Sequence, residues 1–187
     1  MRATRMTALL SLGALLLSGC GYNRIQQMDE QVNQAKGQIA AQLQRRADLV
    51  PNLVATVKGY AAHEDTVFIH VADARAKLAG AVQGGNIQQM AAANEALTAP
   101  LGRLLAISEN YPQLKADQNF RALQDELTGT ENRIAVARQD YNTAVGDYNK
   151  FIRTFPYNLT AKMFGQSTPR DYFQAEQSAA APPKVQF

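Results

Sequence analysis

Chemistry needs a nucleophile, a proton carrier or a cluster of ligands, and this sequence offers few of each. It contains two histidines, one cysteine and no tryptophan. His63-Glu64 is the sharpest pair, with His70 two helical turns beyond it. A zinc site of the HExxH type needs its second histidine four residues after the first, so that both imidazoles leave one helix face toward one ion. Val67 stands there instead, and no third ligand cluster is visible. Metal binding is therefore not expected, and the pair reads better as polar contacts near a helix break. Hydrolysis has no better footing: there is no G-x-S-x-G turn to expose a serine, and general bases are scarce. Gly84-Gly85 alone is a linker rather than a phosphate cradle. No cofactor is expected, and a hydrolase would need a site hidden from the sequence.

The one cysteine has a different use. The chain starts with basic Arg2 and Arg5, then an apolar run through Leu9, Leu10, Leu12, Leu15, Leu16 and Leu17. This is the form of a secretory signal. At about a dozen residues the run is shorter than the roughly 20 that cross a bilayer as a helix. It closes on Leu17-Ser18-Gly19-Cys20, a tetrad that resembles the bacterial lipobox, in which the cysteine is acylated on sulfur and becomes the new N-terminus. The expectation is a cleaved lipoprotein signal over residues 1–19 and a membrane anchor, palmitate-type acyl chains included, at Cys20. Each buried CH₂ adds about 0.8 kcal/mol, so two or three chains hold firmly. Gly21 rather than aspartate after the cysteine favours the outer membrane in a Gram-negative host.

Charge excludes one class of partner. The net charge is +3, but Arg2 and Arg5 belong to the leader; without them 17 basic residues face 16 acidic ones. Nucleic-acid binding needs a basic face that this balance does not supply. The densest charged set is Arg45, Arg46, Asp48, Glu64, Glu126, Glu131, Arg133 and Arg138. Two antiparallel helices would bring the early and late members level. They read first as a polar network fixing register between helices, and second as a partner-binding groove that includes Asn52. Asn142 and Asn149 follow tyrosines seven residues apart. Single polar residues in a helical seam commonly set register, which is favoured here over ligand contact.

Helices must carry these residues. Leu123, Leu127, Thr130, Ile134, Ala137, Tyr141, Ala144, Tyr148, Phe151 and Phe155 step alternately by four and three, with no proline between Gln113 and Phe155. The pattern predicts a helix over about 117–154, roughly 55 Å long, with a 3.5-residue period that favours a supercoiled seam. Ile25, Met28, Val32, Ala35, Ile39 and Leu43 keep helical spacing, as do Leu53, Val57, Tyr60, Val67, Val71, Ala74 and Leu78. Pro51 between them predicts a kink or short break near Leu49–Asn52. Gly84-Gly85-Asn86 predicts a turn. A second helix is expected over 87–108, bent at Pro100, with Tyr111-Pro112 forcing an extended turn after it. A short helix is expected over 159–164, ended by Gly165. The resulting expectation is all-α: an elongated antiparallel up-down bundle of three long helices over residues 20–165, then a mobile tail over 166–187. The terminal Lys184-Val185-Gln186-Phe187 reads as a loose or docked end; strand addition into a PDZ-type groove is the sharper alternative.

With the leader set aside, the motifs strongly resemble the LemA family of bacterial envelope proteins. The likeness runs from Tyr22 to Phe164. It rests on Tyr22-Asn23, Gln42-Leu-Gln-Arg45-Arg46-Ala-Asp48-Leu-Val-Pro51-Asn52-Leu53, and Val57-Lys58-Gly59-Tyr60 followed by His63-Glu64. Tyr111-Pro112, Leu114-Lys115, Asn119-Phe120, Leu123-Gln124 and Glu126-Leu127 come next. Thr130-Glu131-Asn132-Arg133-Ile134, Ala137-Arg138, Tyr141-Asn142, Tyr148-Asn149 and Phe155-Pro156 complete the series. The resemblance implies a helical bundle outside the cytoplasmic membrane, with no established enzymatic activity or cofactor. Members commonly start with an uncleaved membrane-spanning helix, so the lipobox is a departure, and the anchoring mode is taken from Cys20. Two functions follow as expectations: a lipid-anchored scaffold that presents helix faces to another envelope protein, or a regulatory adaptor for an envelope protease or stress-response system.

Overall fold

A computed structural model describes the backbone of residues 2–174 and the side chains of residues 21–174. The leader side chains with Cys20, and the segment from 175 with its Lys184-Val185-Gln186-Phe187 end, lie outside the described residues. Among the described residues every regular element is helical: α1 (Arg2–Lys58), α2 (Asp65–Gly84), α3 (Ile87–Ala106), α4 (Pro112–Ala116), α5 (Gln118–Phe151) and α6 (Tyr157–Met163), with a 3₁₀ turn at Ile107–Glu109. Among the described residues there are thus six helices, where three long ones and a short C-terminal one were expected. The chain divides into two compact units, one built from Met1–Lys36 and Gln139–Asp171, the other from Gly37–Arg138 and Tyr172–Phe187.

In the second unit α1 shows no break at Pro51, where a kink or short break was expected. α1 continues through Leu49–Asn52 and ends at Lys58. Pro51 lacks an N–H, so the carbonyl of Ala47, four residues earlier, loses its helical partner. Arg75 of α2 replaces it, its Nε donating to the Ala47 carbonyl at 3.2 Å. The chain turns instead at Gly59–Glu64, where the amides of Tyr60 and Ala61 both donate to the Val57 carbonyl. The α2–α3 connection follows composition closely. Gly85 adopts φ 66°, the left-handed conformation that glycine takes without strain, and its N–H closes onto Ala81 and Val82. Asn86 then caps α3, its side chain accepting from the amides of Gln88 and Gln89 at 3.0 Å each.

Pro100 likewise sits inside an unbroken α3. Tyr111 stays out of the helical region before Pro112, with φ −126° and ψ 86°, and Pro112 opens α4. Asp117 caps α5 by accepting from the Phe120 amide at 2.9 Å, while its second oxygen accepts from the Tyr60 hydroxyl at 2.9 Å. The Phe120 amide first, and the Tyr60 hydroxyl second, hold this carboxyl below its ordinary range. Because Tyr60 approaches the start of α5 while Arg45 reaches Glu126 further along it, the two chain segments run antiparallel within this unit. The core is filled by Leu43, Leu53 and Val57 of α1, Val71 and Leu78 of α2, Met90, Leu97, Leu101 and Leu104 of α3, and Phe120 of α5.

Along α5 the buried positions are Phe120, Leu127, Thr130, Ile134, Ala137, Tyr141, Val145, Tyr148 and Asn149, with Ile152 just past its end. The predicted seam holds as far as Tyr141; beyond it, Val145 and Ile152 replace Ala144 and Phe151. A straight helix at 3.6 residues per turn drifts about 20° per heptad against a strict 3.5 repeat, and the buried face has drifted by one residue. Phe155 lies beyond the helix and is exposed.

In the first unit, α1 contributes buried Ile25, Val32 and Ala35, and α5 contributes Tyr141, Val145 and Tyr148. Phe151 stacks on Tyr157 at 4.2 Å between ring centres, which pins the start of α6. Gly165 ends the following turn with φ 71°.

Candidate functional site

Arg46 is the centre of the charged set, and its position explains its neighbours. It lies one turn after Leu43 on the buried stripe of α1, so its guanidinium enters the second unit with 4% of its surface exposed. Such a burial requires partners. One Nη donates to Asn94 Oδ1 of α3 at 2.5 Å and pairs with Glu131 Oε2 of α5 at 2.7 Å. The other donates to Thr98 Oγ1 at 3.4 Å. Thr98 in turn donates to the Asn94 carbonyl at 3.2 Å. Nε is buried without a hydrogen-bond partner. Burial pushes the guanidinium below its ordinary value, and the charges of Glu131 and then Glu95 pull it back up. One side chain therefore ties α1, α3 and α5 together within this unit.

Arg45, the next residue, points outward. It forms an ion pair with Glu126 of α5, with Nε donating to the carboxylate at 3.0 Å. The Arg45 hydrogen bond holds the Glu126 carboxyl below its usual range. Asp48 is exposed and accepts from Gln44 at 2.8 Å. Asn52 is exposed, and its backbone carbonyl accepts from Thr56. Arg45, Asp48 and Asn52 thus step by three and four along one exposed face of α1. Arg133 is exposed and reaches back along its own helix to Thr130 Oγ1 at 3.3 Å. Arg138 is exposed as well. Glu64 occupies the N-cap position of α2, but its side chain makes no capping bond. His63 and His70 are both exposed. Among the described residues, no group of three His, Cys, Asp or Glu side chains is placed to hold a metal ion.

The structure therefore brings together Arg46 with Glu131 and Arg45 with Glu126, and leaves Asp48, Asn52, Arg133 and Arg138 at the surface. Sequence reading missed Asn94 and Thr98. A signal existed: Met90, Asn94, Leu97 and Leu101 step by four, three and four, which places one asparagine in the apolar stripe of α3.

The asparagines at the other end of α5 do different work. Asn142 is half-buried and bonded. Asn149, buried, grips extended backbone rather than a neighbouring helix: its Nδ2 donates to the Arg170 carbonyl at 2.9 Å, and its Oδ1 accepts from the Arg170 amide at 2.7 Å. The same stretch receives the Tyr141 hydroxyl on the Asp171 carbonyl at 2.8 Å, and burial pushes the phenols of Tyr141 and Tyr148 up. Arg170 Nε donates to Asp29 of α1 at 3.1 Å. Residues 166–171, where a mobile tail was expected to begin, are thus fastened within the first unit by a column of α5 side chains, and Phe173 is buried in its own right. Non-periodic composition hid this, because the donors and acceptors on the tail are mostly backbone atoms. Asn149→Ala is expected to lower stability by about 1–2 kcal/mol, the scale of two modest net hydrogen bonds. Hydrogen exchange should then quicken at the Arg170 amide while the α3 amides keep their protection.

Comparison with known proteins finds relatives over most of the chain. The chain is 28% identical over 184 residues to magnetosome protein MamQ 2 of Paramagnetospirillum magneticum, covering 86% of this chain and 67% of that protein. It is 27% identical over 167 residues to magnetosome protein MamQ of Magnetospirillum gryphiswaldense, covering 77% of this chain and 61% of that one. It thus spans about two thirds of the length of the curated relatives it matches. The family model described as the LemA family matches residues 35–187, a span that takes in the Arg45–Glu126 and Arg46–Glu131 pairs and the Asn149 clasp. On that match, which covers most of its length, the chain belongs to the LemA family.

Proposed function

We propose that this chain is a lipid-anchored module of the cell envelope: an up-down antiparallel helical scaffold, tethered at Cys20, that presents helix faces to another envelope protein and carries out no catalysis. The observation that carries the reading is the leader: two arginines, an apolar run too short to span a bilayer, and Leu17-Ser18-Gly19-Cys20 at its end. Among the described residues no helix is long and apolar enough to cross a membrane. The relatives are named for a structure, the magnetosome, and not for a reaction. The surface offered to a partner is the face of α1 that bears Arg45, Asp48 and Asn52, with Arg133 and Arg138 exposed on α5. Arg46, Glu131 and Asn149 are spent on internal contacts and belong to the scaffold itself.

Mass spectrometry of the chain isolated from its native membrane tests the anchor. The expected product begins at residue 20 and carries a thioether-linked diacylglycerol on Cys20; an intact leader with an unmodified thiol overturns the reading. Crosslinking in the same membranes tests the scaffold role, for which a stable, stoichiometric envelope partner lost on charge reversal at Arg45 and Asp48 is expected.

A further inference from the structure

The end of the first unit carries an apolar surface that the fold does not use. Phe155, Leu159, Met163 and Phe164 are 74%, 57%, 71% and 50% exposed, all within ten residues. Leu159 and Met163 lie one turn apart on α6, and Phe155 precedes Leu159 by the same interval. The opposite side of α6 is fixed in place: Ala161 is fully buried and Tyr157 stacks on Phe151. A short helix glued down by one face, with large apolar side chains on the other, is a surface made to meet something apolar.

Position and charge identify what it meets. α6 packs against the residue next to the expected anchor: a methyl group on Gly21 would come within 3.1 Å of the Tyr157 ring and 3.4 Å of Thr160 Oγ1, so a larger residue there would have to push those side chains aside by a few tenths of an ångström. The neighbouring Tyr22 ring lies 4.6 Å from that of Phe164, centre to centre. The patch is therefore built on the chain segment that leaves Cys20. The stretch of chain that carries it is basic. Between Asp147 and Asp171 there is no acidic residue, and Lys150, Arg153 and Lys162 are all exposed.

We propose that Phe155, Leu159, Met163 and Phe164 insert into the headgroup–acyl boundary of an anionic lipid surface beside the anchor, with Lys150, Arg153 and Lys162 on the lipid phosphates. The location of this surface rests on the membrane tether proposed for Cys20; the apolar and basic pattern does not. Apolar side chains ringed by lysine and arginine are the pattern of interfacial helices, and cations near an anionic leaflet add electrostatic attraction. A second contact beside the tether would hold the first unit at a fixed angle to the membrane instead of letting it swing about one point.

The test uses the full chain in phosphatidylethanolamine–phosphatidylglycerol vesicles, with an environment-sensitive fluorescent amino acid at position 163 or, as control, at position 33, an exposed site on α1. Spin-labelled lipids should quench the probe at 163 several-fold more than the probe at 33. Arg153→Glu combined with Lys162→Glu, or replacement of the vesicles by phosphatidylcholine, should reduce that excess several-fold. Equal quenching at the two positions in the anionic vesicles overturns the proposal, as does a probe at 163 shielded from lipid and crosslinked to a second copy or to the leader. Vesicle flotation and the mass of the Cys20 peptide are read in the same samples. A floating, acylated chain with an unquenched probe at 163 sinks the patch alone. An unmodified Cys20 with a quenched probe sinks the tether alone.

Discussion

Arg46→Ala should lower the stability of the chain by about 2–3 kcal/mol, a melting point roughly 5–10 °C lower for a chain of this size. Truncation leaves the Asn94 amide buried without its Arg46 partner and removes a group that bonds α1 to both α3 and α5. Glu131 limits the loss, because its side chain is 51% exposed and water can take over its solvation. Arg45→Ala is the matched comparison. That side chain is more than half exposed and its pair with Glu126 lies at the surface, so melting should stay close to wild type. A partner-binding role for the charged set predicts the reverse pattern in a capture assay, in which Arg45→Ala loses the partner while the fold is kept. Melting curves and crosslinking on the same two variants separate the internal tie from the external face.

Leu97→Ala is expected to have the largest effect on folding, about 3 kcal/mol and within the usual 2–5 kcal/mol for deleting a buried leucine. Leu97 is fully buried on α3, between the polar pair Asn94 and Thr98 and the apolar pair Leu101 and Leu104. The void left there adds lost dispersion contacts to the lost transfer energy, because a close-packed interior relaxes only partly around a deleted side chain. Leu97→Met conserves the volume and should cost under about 1.5 kcal/mol. Since a domain is stable by only about 5–15 kcal/mol, denaturant midpoints will resolve the two substitutions. If Leu97→Ala and Leu97→Met melt alike, the tight packing assigned to this part of α3 is wrong.

Much of this was legible beforehand for one reason. Helix periodicity is local, and the stretches 25–43, 123–141 and 87–105 carry an apolar stripe strong enough to need no tertiary help. Gly84-Gly85-Asn86 was legible as a turn because the left-handed cap and the asparagine cap are properties of those residue types themselves. The family motifs were legible because they are long and occur in order along the chain. Arg45 and Arg46 were visible as a charged pair. Which of the two was buried was also latent in the sequence, because Arg46 continues the stripe of Ile39 and Leu43 while Arg45 does not, but only the partners made it plain.

Three features were decided in tertiary structure. Pro51 leaves the Ala47 carbonyl without a helical partner; α1 runs on past it while Arg75, 28 positions along the chain, supplies that bond. Residues 166–171 have no periodicity to read, and they are held because Asn149 and Tyr141 bond to backbone atoms that every sequence possesses. Asn94 faced Arg46 only once α3 had packed beside α1. The chain by itself determined where helices form and which stripe of each is apolar, since those depend on neighbours within two turns. Packing decided where the helices stop and which polar groups are satisfied, since a hydrogen bond is fixed by distance in space and not by separation along the sequence.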